Sequence, residues 1–170
     1  MRNMVKWDKG VDFEVTYERL LRLVKRERRA RNRAYAFILL IQLRNGSRVS
    51  EAVRAFREYI TTGRTEVQVP LSKKKRVETR LMVIPDIGFD RTTAVELLEV
   101  NEGLLTKRVK MYAKNRLKVN THSLRYAFIT YLLKQGVNPA IVARVTGHTK
   151  LDFILHYTQQ KAAEEILRGL

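Results

Sequence analysis

Two arginines, two histidines and a tyrosine stand in this chain at spacings that suit phosphoryl transfer. Thr121-His122-Ser123-Leu124-Arg125 opens a stretch that passes through Gly147-His148 and ends at His156-Tyr157-Thr158. Far upstream lies Gly46-Ser47-Arg48-Val49-Ser50-Glu51. Breaking a phosphodiester without a metal needs a nucleophile at phosphorus, fixed positive charge for the crowded transition state, and an acid for the leaving oxygen. Arginine suits the second task, because it is always charged and can grip two non-bridging oxygens at once. Histidine can donate to the same oxygens or handle the nucleophile's proton. A lysine at a hairpin tip can reach the leaving oxygen. Tyrosine would give a covalent phosphotyrosine that stores the bond energy, so that a strand could be resealed without ATP.

The elements around these residues are mostly helical. Met1 to Asp12 reads as a lead-in that Trp7 could pin to the body. Phe13 to Arg28 reads as a helix with Val15, Leu20, Leu21, Leu23 and Val24 on its apolar side. Arg33 to Arg44 is apolar nearly all round, the pattern of a central buried helix, and Asn45-Gly46 ends it. Ser47 to Tyr59 follows with Val49, Ala52, Val53 and Phe56 inward, which puts Arg48 at a turn between two core elements. From Thr61 to Pro85 the period changes: Val67, Val69 and Leu71 alternate with polar positions, and Leu81 and Val83 alternate with Met82 and Ile84 on the return. That is a β-hairpin or small sheet, with Lys73-Lys74-Lys75-Arg76 at its tip and Arg80 nearby. Asp86 to Asn101 carries a short helix, and Leu104 to Leu117 a basic one with Leu105, Val109, Tyr112 and Ala113 inward. Thr121 is a good N-cap for a helix to Gln135, with His122 and Arg125 in its first turn. Gly136 closes it, and Asn138-Pro139 opens the next, which ends at Gly147. Leu151 to Gln160 is a further short helix carrying Tyr157, and Lys161 to Leu170 is amphipathic.

Charge narrows the partner. The 170 residues hold 34 Lys and Arg against 17 Asp and Glu, a net charge of +17. That excess predicts an anionic polymer, nucleic acid before membrane surface. Seven basic residues and one acid lie between Arg22 and Arg33. Lys107, Arg108, Lys110, Lys114, Arg116 and Lys118 follow one another with no acid between. Lys107, Lys110 and Lys114 read as a DNA-facing helix side, and Lys74, Lys75 and Arg76 as a basic finger on the duplex, adding salt-sensitive affinity. A solvated face is the duller alternative for each. There is no cysteine, hence no disulfide, and no apolar run approaches the roughly 20 residues of a membrane span. The N-terminus lacks the apolar stretch of a signal peptide. Three histidines without cysteine or a close carboxylate make a poor zinc site. No metal and no cofactor are expected, and the expected location is the cytoplasm, at the nucleoid.

The motifs together resemble the catalytic domain of the tyrosine recombinases, the phage-type integrases. Gly46-x-Arg48-x-Ser50-Glu51 looks like the family's first-arginine motif. Thr121-His122-x-Leu124-Arg125-Tyr126-x-Phe128 looks like its His-x-x-Arg motif, and Leu132-Leu133 and Gly136-Val137 continue the pattern. Gly147-His148 looks like the third motif, with Tyr157 nine residues later. The likeness runs from Phe13 to Gln160. Any one motif is weak; four in order at proper spacing are strong. The resemblance implies a mainly α domain with a small antiparallel sheet (α+β), and a catalytic set of Arg48, Lys73, His122, Arg125, His148 and Tyr157. Arg48 and Arg125 would clamp the scissile phosphate, His122 would handle a proton, His148 would bond a phosphate oxygen, and Tyr157 would attack. Strand phasing puts the family's hairpin lysine at Lys73, with Lys74 and Lys75 as further candidates.

The resemblance also implies double-stranded DNA as partner, a 3′-phosphotyrosyl intermediate, and a homotetramer on paired sites that is monomeric when free. Residues 1–170 read as one catalytic domain, with 1–12 as lead-in and 161–170 as a helix able to pack on a neighbour. Family members usually carry an N-terminal helical domain that grips the other side of the duplex, and nothing of that size precedes Phe13. Tyr126 stands where histidine is common. Two rivals deserve comparison. A helix-turn-helix DNA binder would use Thr121 to Gly147 but leave Arg48, Lys73 and Tyr157 unexplained. A type IB topoisomerase-like activity would use the same residues to nick, swivel and reseal. RNA binding is disfavoured for want of an aromatic stacking platform.

Overall fold

The computed structural model describes residues 11–71, 78–147, 163–164 and 166–170. It is mainly α-helical with one two-stranded antiparallel sheet. The helices are α1 (Phe13–Arg26), α2 (Ala30–Asn45), α3 (Val49–Thr62), α4 (Glu102–Tyr112), α5 (Thr121–Lys134) and α6 (Pro139–Thr146). The strands are β1 (Glu66–Pro70) and β2 (Thr79–Val83). A 3₁₀ helix at Arg91–Glu99 precedes α4, and a π-helical turn at Ala113–Leu117 follows it. No described helix is long and apolar enough to cross a membrane.

α2 is the axis of the molecule. Ala34 to Leu43 are buried on every side, and α1, α3, α4 and α5 all pack against it. A helix apolar all round has no solvent face to present, so it must be enclosed. Phe37 shows how tightly: its ring stacks on Phe89 at 4.4 Å and meets Phe56 and Tyr59 edge-on. α1 buries Leu20, Leu23 and Val24, and Phe13, Tyr17 and Leu21 pack against the core part-buried. Val15, expected inward, is 67% exposed. It lies in the first turn, where the Asp12 side chain takes the Val15 amide at 2.8 Å and the chain is still entering the helix.

The hairpin forms as expected, with Val69 opposite Arg80 and Pro70 opposite Thr79, and it settles which of the two apolar sets on the return strand faces in. Met82 and Ile84 are buried and Leu81 is exposed. Arg80 shares the inward phase and is buried too. The reason is a clamp from α2. The Asn45 side chain accepts from the Val83 amide and donates to the Val83 carbonyl, both at 2.9 Å, which fixes which face of β2 turns in. The tip residues Lys73, Lys74, Lys75 and Arg76 lie outside the described residues.

The cap of α5 also differs. Asn120, not Thr121, is the N-cap, its side chain accepting the His122 amide at 2.9 Å. Thr121 is buried one step inside, and its carbonyl receives Gln42 of α2. α6 starts as read, with Asn138 capping and Pro139 first. At the C-terminus Ile166 and Leu167 are exposed.

Two glycines permit close approaches that draw the motifs together. Gly46 caps α2 at φ 60, and an added Cβ would run into the ring of Phe128 on α5. Gly147 caps α6 at φ 74, and a Cβ there would meet Leu71, just past β1. Gly46→Ala therefore combines a left-handed backbone with an overpacked contact. It is expected to lower unfolding stability by about 3 kcal/mol in urea titration. A loss under about 1 kcal/mol would show that α5 does not rest on this turn as described.

A candidate phosphate-binding site

The C-terminal turn of α2 is where the two arginine motifs meet. Gln42, buried in an apolar helix, donates to the Ser47 carbonyl at 3.2 Å and to the Thr121 carbonyl at 2.9 Å. One amide group thus joins the turn before Arg48 to the start of the helix that carries Arg125. Asn45 joins the same turn to β2, and Gly46 seats it under Phe128. Arg48 is then the N-cap residue of α3, in extended backbone at φ −71 and ψ 153.

Glu51 stands three residues into α3 with a side chain that is 0% exposed. Its Oε1 accepts from the Arg48 amide at 3.1 Å, the reciprocal half of a capping box, at the helix end where the dipole favours an anion. Its Oε2 meets the Arg48 guanidinium at 3.3 Å. Arg125, 77 residues further along the chain, brings Nη1 to 3.9 Å from Oε1. The two arginines that sequence separates therefore share one buried carboxylate. Arg48 keeps a quarter of its side chain exposed, whereas Arg125 keeps only 3%. An anion arriving from solvent meets Arg48 first, with Arg125 behind it as a fixed positive charge.

Burial costs Arg125 some of its basicity. Desolvation first, and then the like charge of Arg48, pull its pKa down to about 10, with Glu51 working the other way. Arg80 is held to about 10 for the same leading reason. Both stay cationic at neutral pH, which electrostatic stabilisation of a phosphate requires.

The remaining candidates fall into two groups. His122 is exposed in the first turn of α5, its ring lying 6.3 Å from that of Tyr126. Lys107, Lys110 and Lys114 are exposed along α4 and the π turn, as a DNA-facing side would be. That turn is stapled to α1, since Arg19 donates to the Arg116 carbonyl at 2.8 Å and Arg116 pairs with Glu27 at 3.2 Å. Lys73, His148 and Tyr157 lie outside the described residues, with Lys74, Lys75, Arg76 and His156. Their described neighbours do converge: Gly147, just before His148, packs on Leu71, two residues before Lys73. A cavity of about 750 Å³ opens there, walled by Leu71, Arg80, Phe128 and Arg144 among others, while Arg48 and Arg125 are not in its walls.

Two residues of this cluster have no role in the sequence reading. Glu51 was inside a quoted motif without a role, and its only signal was its place three residues after Arg48. Arg80 was grouped with the basic tip, although strand alternation with Met82 and Ile84 put it on the inner face.

Comparison with known proteins gives three relatives. A protein of Acidianus two-tailed virus named Putative integrase ORF241 is 44% identical over 167 residues, covering 96% of this chain and 68% of its own length. An uncharacterized protein of Methanocaldococcus jannaschii is 32% identical, covering 96% of this chain and 88% of its own length. A protein of Sputnik virophage named Putative integrase V10 is 30% identical, covering 78% and 69%. No family model and no solved structure matches the chain.

The shared carboxylate sets the first test of the site. Glu51→Gln leaves buried guanidiniums without a counter-charge, and removing one member of a buried ion cluster costs about 3–5 kcal/mol. Chemical denaturation of Glu51→Gln should show a loss of that size. A variant as stable as the parent would mean that Glu51 does not hold the arginines.

Proposed function

Because the chain belongs to the integrase family of these viral relatives, we propose that it cuts and rejoins duplex DNA as a tyrosine recombinase does. The observation that carries the reading is the convergence of Arg48 and Arg125 on Glu51. Two guanidiniums held by one carboxylate retain net positive charge and fixed geometry. That is the preorganised clamp which a scissile phosphate needs.

In this reading the phenolic oxygen of Tyr157 attacks phosphorus, and the bond to the 5′ oxygen breaks. A 3′-phosphotyrosine forms and a free 5′-hydroxyl leaves. Arg48 and Arg125 neutralise the non-bridging oxygens as a second negative charge develops on them. His122 handles the tyrosine proton, His148 bonds a phosphate oxygen, and Lys73 protonates the leaving oxygen. Reversal, with a 5′-hydroxyl of another strand as nucleophile, restores the phosphodiester and completes strand exchange. Exposed Lys107, Lys110 and Lys114, with the hairpin tip, supply sequence-independent affinity for the duplex. Four copies on paired sites would carry out recombination, with residues 161–170 as a link between them.

A helix-turn-helix regulator fits less well. Such a regulator would use α5 and α6 and give no role to the Arg48–Glu51–Arg125 cluster that the fold assembles.

The test is a nicked duplex from which the short 3′ fragment is lost on cutting, so that the intermediate is trapped. In EDTA the wild-type protein should give a covalent protein–DNA band on a denaturing gel. Tyr157→Phe should bind the duplex and give none. Arg48→Ala and Arg125→Ala should form the adduct about 100–1,000-fold more slowly, the scale of losing one transition-state donor. Tight binding without an adduct on any candidate site would replace this reading with a non-enzymatic DNA binder.

A further inference from the structure

Arg80 is a charged residue in a position built for an apolar one. It lies on β2 between Thr79 and Leu81, on the inward phase with Met82, and is 6% exposed. One arm of its guanidinium, Nη2, donates to the Asn45 carbonyl at the end of α2. The other, Nη1, is buried with no hydrogen-bond partner among the described residues. A buried arginine with an unspent donor is costly, and apolar side chains of its size would serve a sheet better. Its surroundings indicate what it does. Arg80 lies within electrostatic reach of Glu51 and Arg48, and Arg125 in turn feels Arg80.

We propose that Arg80 is a positioning residue for the cutting step: it holds the turn that presents Arg48 and raises the net charge of the arginine cluster from one to two. The count follows from the groups present. Arg48 and Arg125 against Glu51 leave one positive charge, and Arg80 makes it two. A phosphodiester carries one negative charge, and the five-coordinate state formed when a tyrosine attacks carries two. With Arg80 the cluster matches the transition state; without it, the cluster matches the substrate. An interaction stronger in the transition state accelerates the step without tightening substrate binding. Arg80 touches no substrate in this account. It acts through Asn45 and through the charge it shares with Glu51.

The inference rests on the strand-cutting reading, and the experiment separates the two. Single-turnover cleavage is measured with the full chain on the trapping duplex, for wild type, Arg80→Gln and Arg80→Lys. Each is tested with an ordinary scissile phosphodiester and with a methylphosphonate, which lacks one charged oxygen there. Gln removes the charge and is too short to reach the Asn45 carbonyl, so the comparison of the two linkages separates lost charge from lost positioning; Lys keeps the charge and more of the reach. Arg80→Gln should cut the ordinary linkage about 100-fold more slowly, with a duplex Kd within about threefold of wild type. On the methylphosphonate, whose transition state carries a single negative charge, the gap should shrink below about tenfold. Arg80→Lys should stay within about tenfold of wild type on both linkages. Arg80→Gln cutting as fast as wild type, equal losses on both linkages, or Arg80→Lys as slow as Arg80→Gln would each overturn the role. If Arg80→Gln does not fold, as its melting curve would show, the Arg80→Lys rate alone decides. Wild-type protein that forms no adduct at all would instead overturn the strand-cutting reading.

Discussion

A carboxylate with no access to water must be met by cations, and Glu51 is such a carboxylate. Its partners come from separate parts of the chain: Arg48 at the start of α3 and Arg125 on α5, with Arg80 of β2 close enough to feel it. Burying Glu51 therefore constrains a helix start, a helix interior and a sheet strand at once. Such clusters are weak evidence for extra stability, since an apolar replacement can do as well. They do determine geometry, because a misplaced member leaves a bare charge. The last turn of α2 does the mechanical part of the same work. Gln42 holds the start of α5, Asn45 holds β2, and Gly46 lets Phe128 close down on the turn.

The large positive charge has two distinct uses. Part of it is structural. Arg57 donates to the carbonyls of Val100 and Leu98, Arg54 to that of Pro70, Arg91 to that of Ile60 and Arg33 to that of Glu27. Guanidinium suits this, having several donors on a long arm that can reach a helix end and satisfy it. Other basic side chains among the described residues stand exposed, above all at the end of α1 and along α4. A basic composition alone does not separate these uses; only the partners of each arginine do.

Much of the fold was legible because local rules and burial agreed. The all-apolar run of α2, the Gly46 and Gly147 caps and the Asn138-Pro139 start each follow from one physical preference, and each stands where it was read. The failures have a common cause. Val15 and the cap of α5 were each settled by a neighbouring polar contact that periodicity cannot see, and the inner face of β2, which its two apolar sets left open, was settled by a long-range one. Asn45 decided which side of β2 faces in, and Asn120 took the cap from Thr121. Of the candidate site, the arginine pair was legible as a pair. What joins the pair was not, because the significance of Glu51 and Arg80 lies in being buried together. Burial of a charge is a property of the packed chain.

The most direct measurement is to find the atom that carries the DNA. The trapped adduct is digested with nuclease and protease, and the modified peptide is sequenced by mass spectrometry. The account predicts a 3′-phosphoryl group on Tyr157 and on no other residue. A nucleotide attached elsewhere, or through its 5′ phosphate, would contradict it, because the arginine cluster would then serve a different reaction.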